Sequence, residues 1–414
     1  MKLIKHIFYS SFIYNFYEKY ILSVPIFKIF IDMDYLREKI RKSYMFNLFY
    51  AMCKKIVIKL PTTNLNINYI SIIFLIILAV VFPDAEDFYI KLVVVLYSLI
   101  YILKHKDNVY FTVCVFSAIL LIFIWQYGAK IVAREGFSLW CCASSFFLTY
   151  KSLQNGKKIR FLKYIFYINI AACLIAMLTE KNIFYGKIVL YLLPFSLSYS
   201  VLVYKKVQRL AIFAFAILIS VLIGIREGGA VLSCVALEFV LFCALYDFKY
   251  IFMTMLISPV AIISLINRII IFRREFLMAG ITLDNIISVS YKYINNGLKG
   301  DVLTVRRAIN HNTFEQLEKI SLGEQFFIYS ILVFILITVF FLGRYIFRLI
   351  RKTLILYTEK KQKSKILVIG SISFFAGTSI MALLSSLSGS INTMLVYWIL
   401  LGFIKSIHKN TGKL

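Results

Sequence analysis

Long apolar runs separated by short polar connections repeat along this chain of 414 residues. They fall at Ile67–Phe82, Phe88–Leu103, Val109–Tyr127, Phe137–Tyr150, Phe161–Leu178, Ile183–Tyr204, Gln208–Ile225, Gly229–Tyr246, Phe248–Ile271, Gln325–Phe347, Ile366–Leu387 and Ile391–Ile404. A helix needs roughly 20 residues to cross a hydrocarbon core of about 30 Å, so the pattern predicts an all-α, polytopic membrane protein with about twelve transmembrane helices. Phe137–Tyr150 carries the weakest signal. Pro194 and Pro259 fall inside the sixth and ninth runs, where each is expected to kink its helix.

The connections alternate in charge. On one side they carry Lys104 and Lys106; Lys151, Lys157, Lys158 and Arg160; Lys205, Lys206 and Arg209; Arg351, Lys352, Lys360, Lys361, Lys363 and Lys365; and Lys405, Lys409 and Lys413. The short connections on the other side carry mainly Lys130, Arg134, Lys181 and Arg226, and the first of them is acidic, Pro83-Asp84-Ala85-Glu86-Asp87. Lys and Arg are retained on the cytoplasmic side of short loops, so both termini are predicted to be cytoplasmic.

Composition narrows the class. The chain is 61% hydrophobic and 16% charged, with mean hydropathy +0.83, against roughly half apolar and a quarter charged for ordinary soluble domains. The net charge of +27 is spread between apolar blocks rather than gathered on a soluble face, which argues against nucleic acid as a partner. Cys114, Cys141, Cys142, Cys173, Cys234 and Cys243 lie inside apolar blocks and only Cys53 outside, with no C-x-x-C spacing. Neither a structural zinc nor a disulfide framework is expected.

Four regions follow. Residues 1–65 form a cytoplasmic basic segment in which Leu36, Ile40, Tyr44, Leu48, Met52 and Ile56 recur every fourth position among Lys and Arg, the pattern of an amphipathic helix on the inner leaflet. Glu18, Lys19 and Lys28 interrupt its apolar run, unlike a signal peptide. Residues 66–271 hold transmembrane helices one to nine and residues 325–414 hold ten to twelve with a short cytoplasmic tail. Between them, residues 272–324 form a large extracytoplasmic loop, of a length that usually carries function or disorder.

That loop contains Arg273, Arg274, Arg306, Arg307 and the only histidine predicted to lie outside, in His311-Asn312-Thr313-Phe314 running to Gly323. A second feature, Arg226-Glu227-Gly228-Gly229-Ala230-Val231-Leu232, opens the eighth helix at its outer end. The last two runs contain Leu384-Ser385-Ser386-Leu387 and Asn392-Thr393-Met394-Leu395-Val396-Tyr397-Trp398. In these three stretches the chain resembles the O-antigen polymerase and O-antigen ligase superfamily of bacterial cell-surface glycan enzymes. It departs from that family in having Glu227 where a glycine follows the arginine, and in the closeness of Arg306 and Arg307 to His311.

The resemblance implies a metal-independent, inverting glycosyltransferase without cofactors, acting at the outer face of the membrane. It would join polyprenyl-diphosphate-linked oligosaccharide repeat units into a capsule or exopolysaccharide, with membrane lipid, a flippase and a chain-length regulator as further partners. His311 takes the role of catalytic base on the acceptor hydroxyl. Arg226 binds the donor diphosphate, joined by Arg306 or Arg307, with Arg273 and Arg274 also open for that second role. Gly228, Gly229, Asn312 and Glu227 are supporting residues. The chemistry agrees with these roles, because guanidinium binds phosphate oxygens bidentately and a helix N-terminus favours an anion.

Three other readings remain. Ligation of a finished glycan to another acceptor uses the same residues. A metal-dependent polyprenyl-phosphate-sugar transferase would use Asp84, Glu86 and Asp87. A lipid-linked glycan transporter or flippase would rely on ionisable groups at mid-membrane, where Glu238 is the candidate; pairing with a basic residue on a neighbouring helix is its simpler expected role.

Overall fold

The computed structural model describes residues 44–65, 67–81, 88–126, 130–154, 157–178, 183–205, 207–213, 215–216, 229–247, 343, 345–346, 348–350, 352–354, 356–357, 362–384 and 391–409. Every regular element among them is an α-helix. In chain order these are α1 (Tyr44–Lys59), α2 (Tyr69–Val81), α3 (Phe88–His105), α4 (Asn108–Gln126), α5 (Lys130–Ser152), α6 (Lys158–Leu178), α7 (Ile183–Val203), α8 (Gly229–Tyr246), α9 (Gln362–Leu384) and α10 (Ile391–Lys409). Helical residues also occur within 207–216 and 343–357. The predicted runs at Phe248–Ile271 and most of Gln325–Phe347 lie outside the described residues.

The helices follow the apolar runs closely, and the eighth coincides with its run. Some are longer than their runs, as at α3, α5, α6 and α10, and α2 and α7 are shorter. The weakest run, Phe137–Tyr150, sits inside α5, whose first turns hold Lys130, Arg134 and Glu135. Such residues lower hydropathy but are good helix formers, so the helix outlasts the apolar stretch. Of the described helices, one has an 18-residue window long and apolar enough to cross a membrane by length and composition, Gly186–Val203, and 89% of that window is buried in the structure. Shorter apolar helical stretches occur at Tyr69–Val81, Asn108–Phe123, Cys234–Tyr246 and Lys365–Ser379.

α7 is the central helix. It is apolar on all sides, as a helix surrounded by others must be, and residues 186–201 are all buried. Pro194 lies within it. Its three serine hydroxyls are satisfied within the helix, Ser196 donating to Leu192 O at 2.9 Å, Ser198 to Pro194 O at 2.8 Å and Ser200 to Leu197 O at 2.7 Å.

The most extensive contacts are α6 with α7, α5 with α10, α8 with α9 and α7 with α9. Small residues permit the closest of them, since without a side chain two backbones can approach. A methyl group on Gly370 of α9 would overlap Ser198 Oγ and lie 3.0 Å from the Pro194 carbonyl oxygen of α7. A methyl on Gly402 of α10 would lie 2.5 Å from the Phe146 carbonyl oxygen of α5. Around α7 an aromatic cluster fills the centre, with Tyr191, Phe195, Phe374, Tyr397 and Phe403 in ring contact.

The outer helices differ. α2 exposes Ile70, Phe74, Ile77 and Val81, and α3 exposes Tyr89, Leu92, Leu96 and Leu99. Each set recurs every three or four residues, which is one helix face. α1 packs on α4 through Cys53 and Val57, both buried, and through Phe49, whose ring lies 6.2 Å from Phe116. The predicted stripe Leu48, Met52 and Ile56 stays exposed.

At helix ends that the charge pattern assigns to a single side, described basic residues hold neighbouring elements together. There the Lys106 ammonium donates to the carbonyls of Val57, Leu60 and Pro61 at the end of α1. Lys151 of α5 pairs with Asp107 before α4 at 4.0 Å, and Lys157 covers the Tyr69 ring of α2. Arg209 donates to Tyr246 Oη and to the Val201 and Tyr204 carbonyls, closing the end of α7.

Candidate functional site

Arg226, Glu227, Gly228, Arg306, Arg307, His311 and Asn312 lie outside the described residues, as do Arg273, Arg274, Asp84, Glu86, Asp87 and Pro259. Of the predicted site, the structure places Gly229, which is the first residue of α8. Arg226 therefore stands three positions before a helix start. The opening N–H groups of a helix have no partner within it, and they carry the positive end of its dipole. α8 runs from there, at the end opposite the basic cluster, into the core beside α7 and α9.

About two and a half turns along, α8 carries an acid that the sequence singled out without giving its surroundings. Glu238 is fully buried, and neither carboxylate oxygen has a hydrogen-bond partner among the described residues. The expected pairing with a base on a neighbouring helix is not made there. The side chain lies against Gly377 of α9, where any Cβ would overlap its carboxyl group. Tyr191 of α7 lies within electrostatic reach of it and of Cys234, one turn earlier on α8. Ser373, one turn from Gly377 on the same face of α9, is also buried with an unpartnered hydroxyl among the described residues.

Two cavities open between helices. The first, about 360 Å³, is lined by α6, α7 and residues 211–216. Its walls are apolar except for Ser196 and Asn169, and the Asn169 amide oxygen is buried without a hydrogen-bond partner among the described residues. The second, about 510 Å³, lies between α4 and α5 at the basic end, with Asp107, Tyr110, Ser144 and Lys151 in its wall. Its polar groups are fixed by Tyr101 Oη donating to Asp107 at 3.2 Å, Tyr110 Oη donating to Ser98 at 2.9 Å, and Asp107 accepting from the Tyr110 N–H at 3.0 Å. Both fall within the usual size of small-ligand pockets, about 300–1,000 Å³.

Among the described residues no group of three His, Cys, Asp or Glu side chains could hold a metal ion. None of the seven cysteines is in a disulfide. Comparison with known proteins finds no family model, no curated protein and no solved structure that matches the chain.

Proposed function

We propose that the chain is a multi-pass membrane glycosyltransferase that joins polyprenyl-diphosphate-linked oligosaccharide units at the outer face of the bacterial plasma membrane. The observation that carries this reading is the start of α8 at Gly229, directly after Arg226-Glu227-Gly228. A guanidinium beside outward-facing helix N–H groups is an anion site for a diphosphate leaving group. Membrane insertion is supported by the outward apolar faces of α2, α3 and α4, which in water would form a contiguous aggregation-prone surface. In this reading the basic end faces the cytoplasm and the loop of residues 272–324 folds over the other end. His311 removes the acceptor hydroxyl proton while the diphosphate departs under the charges of Arg226 and of Arg306 or Arg307.

The test is polymer formation by variants that remain in the membrane. Arg226→Lys keeps the charge and loses the bidentate fork, so polymer falls substantially; normal polymer from Arg226→Ala removes this residue from the mechanism. His311→Ala is expected to cost about 10²- to 10⁴-fold in rate and to erase the acidic limb of the pH profile. Full activity with an unchanged profile makes the histidine structural.

Glu238 favours a second reading, transport of the lipid-linked glycan, because a buried intramembrane acid often binds a coupling ion. Glu238→Gln keeps shape and removes ionisation. Transfer that persists with Gln while lipid-linked glycan stops crossing the membrane would select transport.

A further inference from the structure

Beyond the glycan site, the basic end of the bundle contains a cluster of like charges without counter-charges among the described residues. Tyr345, Arg348 and Lys352 are spaced three and four residues apart in the helical segment within 343–357, so they share a face. Lys405 of α10 reaches that face, with its ammonium 5.5 Å from the centre of the Tyr345 ring. Two turns from Tyr345, Thr353 is buried and its hydroxyl lies 2.9 Å from His408 Nε2, which locks the segment to α10. The ring at one level and the hydrogen bond at the other hold α10 against the segment that carries Arg348 and Lys352.

Half-buried Lys405 holds its proton less tightly than an ordinary lysine, first because of burial and then because Lys352 and Arg348 are positive. The three cations are thus within electrostatic reach of one another. Among the described residues none has a carboxylate partner, whereas Lys151 has Asp107. Beneath the charges the wall is aromatic, Tyr345 against Phe146 at 5.8 Å and Phe146 against Trp398 at 6.2 Å. An apolar floor under three clustered donors fits a phosphate attached to hydrocarbon. Basic pockets between helices on the cytoplasmic side of a membrane take anionic headgroups, and phosphate oxygens accept charge-assisted hydrogen bonds from guanidinium and ammonium together.

We infer that Arg348, Lys352 and Lys405 form an interhelical site for the phosphate of an anionic phospholipid in the inner leaflet. The site rests on the membrane orientation proposed above but not on glycosyl transfer, so a failed transfer assay leaves it standing.

The experiment is thermal unfolding of the full-length protein in neutral detergent, titrated with phosphatidylglycerol, phosphatidylcholine or inorganic phosphate. Phosphatidylglycerol is expected to raise the unfolding midpoint where phosphatidylcholine and inorganic phosphate do not. The variant Arg348→Gln/Lys352→Gln/Lys405→Gln should need at least about tenfold more phosphatidylglycerol for the same shift, the loss of one charge-assisted contact or more. Lys157→Gln/Arg160→Gln/Lys163→Gln removes the same charge from the start of α6 and should respond as the wild type. If the triple variant does not fold, Lys405→Gln alone is read on the same scale. Equal shifts from both lipids, an unchanged response of the cluster variant, or an equal loss in the α6 variant overturns the site. An equal shift from inorganic phosphate overturns the lipid as its ligand.

Discussion

α7 and α4 are both long and apolar, yet they meet different surroundings. Around α7, residues 186–201 are buried on every face by α6, α8, α9 and α10. On α4, Val109, Val113, Phe116, Ile119, Ile122, Phe123 and Trp125 are between 43% and 61% exposed. A water-soluble bundle would place charge on that outer face. Hydropathy alone cannot separate the two helices; only packing shows which apolar faces meet protein. What the outer face of α4 meets is the physical question on which the membrane proposal rests, and substitutions in the two helices should answer it differently.

The largest effect is expected at the centre. Gly370→Val places two methyl groups against Ser198 Oγ and the Pro194 carbonyl. A backbone carbonyl inside a buried helix cannot step aside, so the loss should reach or exceed the roughly 3 kcal/mol upper end of ordinary overpacking. Gly343, with nothing within 4 Å of its added methyl, is the matched control: Gly343→Ala should leave the unfolding midpoint at or above that of the wild type. Equal behaviour of the two variants would mean that α7 and α9 are not in this contact.

Next comes the outward face of α4. Ile119→Asp, near the middle of the helix, should cost about 2.5–3.5 kcal/mol if the face meets hydrocarbon, and within about 0.5 kcal/mol if it meets water. Membrane-integrated yield and the unfolding midpoint in micelles both read this difference. A neutral outcome would remove the bilayer from around α4 and with it the outer-face placement of Arg226.

These contrasts also define what the sequence could reveal. Helix positions were legible because an apolar run of sufficient length imposes a helix wherever it is buried, and α8 matches its run from Gly229 to Tyr246. Ends were less legible, as at α5 and α10, because Lys, Arg and Glu end hydropathy without ending a helix. Pairings between distant helices, such as α5 with α10, left no periodic signal: Gly402 is one glycine among 17, and only the fold shows that it meets Phe146. Glu238 was visible as a lone acid in an apolar run, but its neighbour Gly377 comes from another helix. The amphipathic stripe of α1 was legible in spacing but not in use, for the adjacent face through Phe49, Cys53 and Val57 makes the contact with α4. The residues that carry the glycan reading, His311 and the loop arginines, lie outside the described residues, so that site stands on their sequence and on the start of α8.

The smallest global effect belongs to the rim, at Lys106 between α3 and α4. Its φ of 48° is left-handed, which costs a non-glycine residue about 1–2 kcal/mol. Against that, its ammonium clasps the carbonyls of Val57 in the last turn of α1 and of Leu60 and Pro61 just after it, and hydrogen bonds to a charged group contribute about 1.5–3 kcal/mol each before exposure weakens them. Lys106→Gly relieves the backbone and releases the clasp together, so the unfolding midpoint should move by less than the equivalent of about 1 kcal/mol. The local consequence is larger. Cys53, 2% exposed between α1 and α4, should react with a thiol reagent several-fold faster once α1 is unclasped, in a protein whose other six cysteines have been replaced by alanine. Lys106→Met keeps the backbone cost and loses the clasp, so it should label as fast and also unfold earlier. Cys53 protected to the wild-type degree in both variants would show that Phe49, Cys53 and Val57 hold α1 by packing alone, and that the rim, like the centre, is fixed by apolar contact rather than by charge.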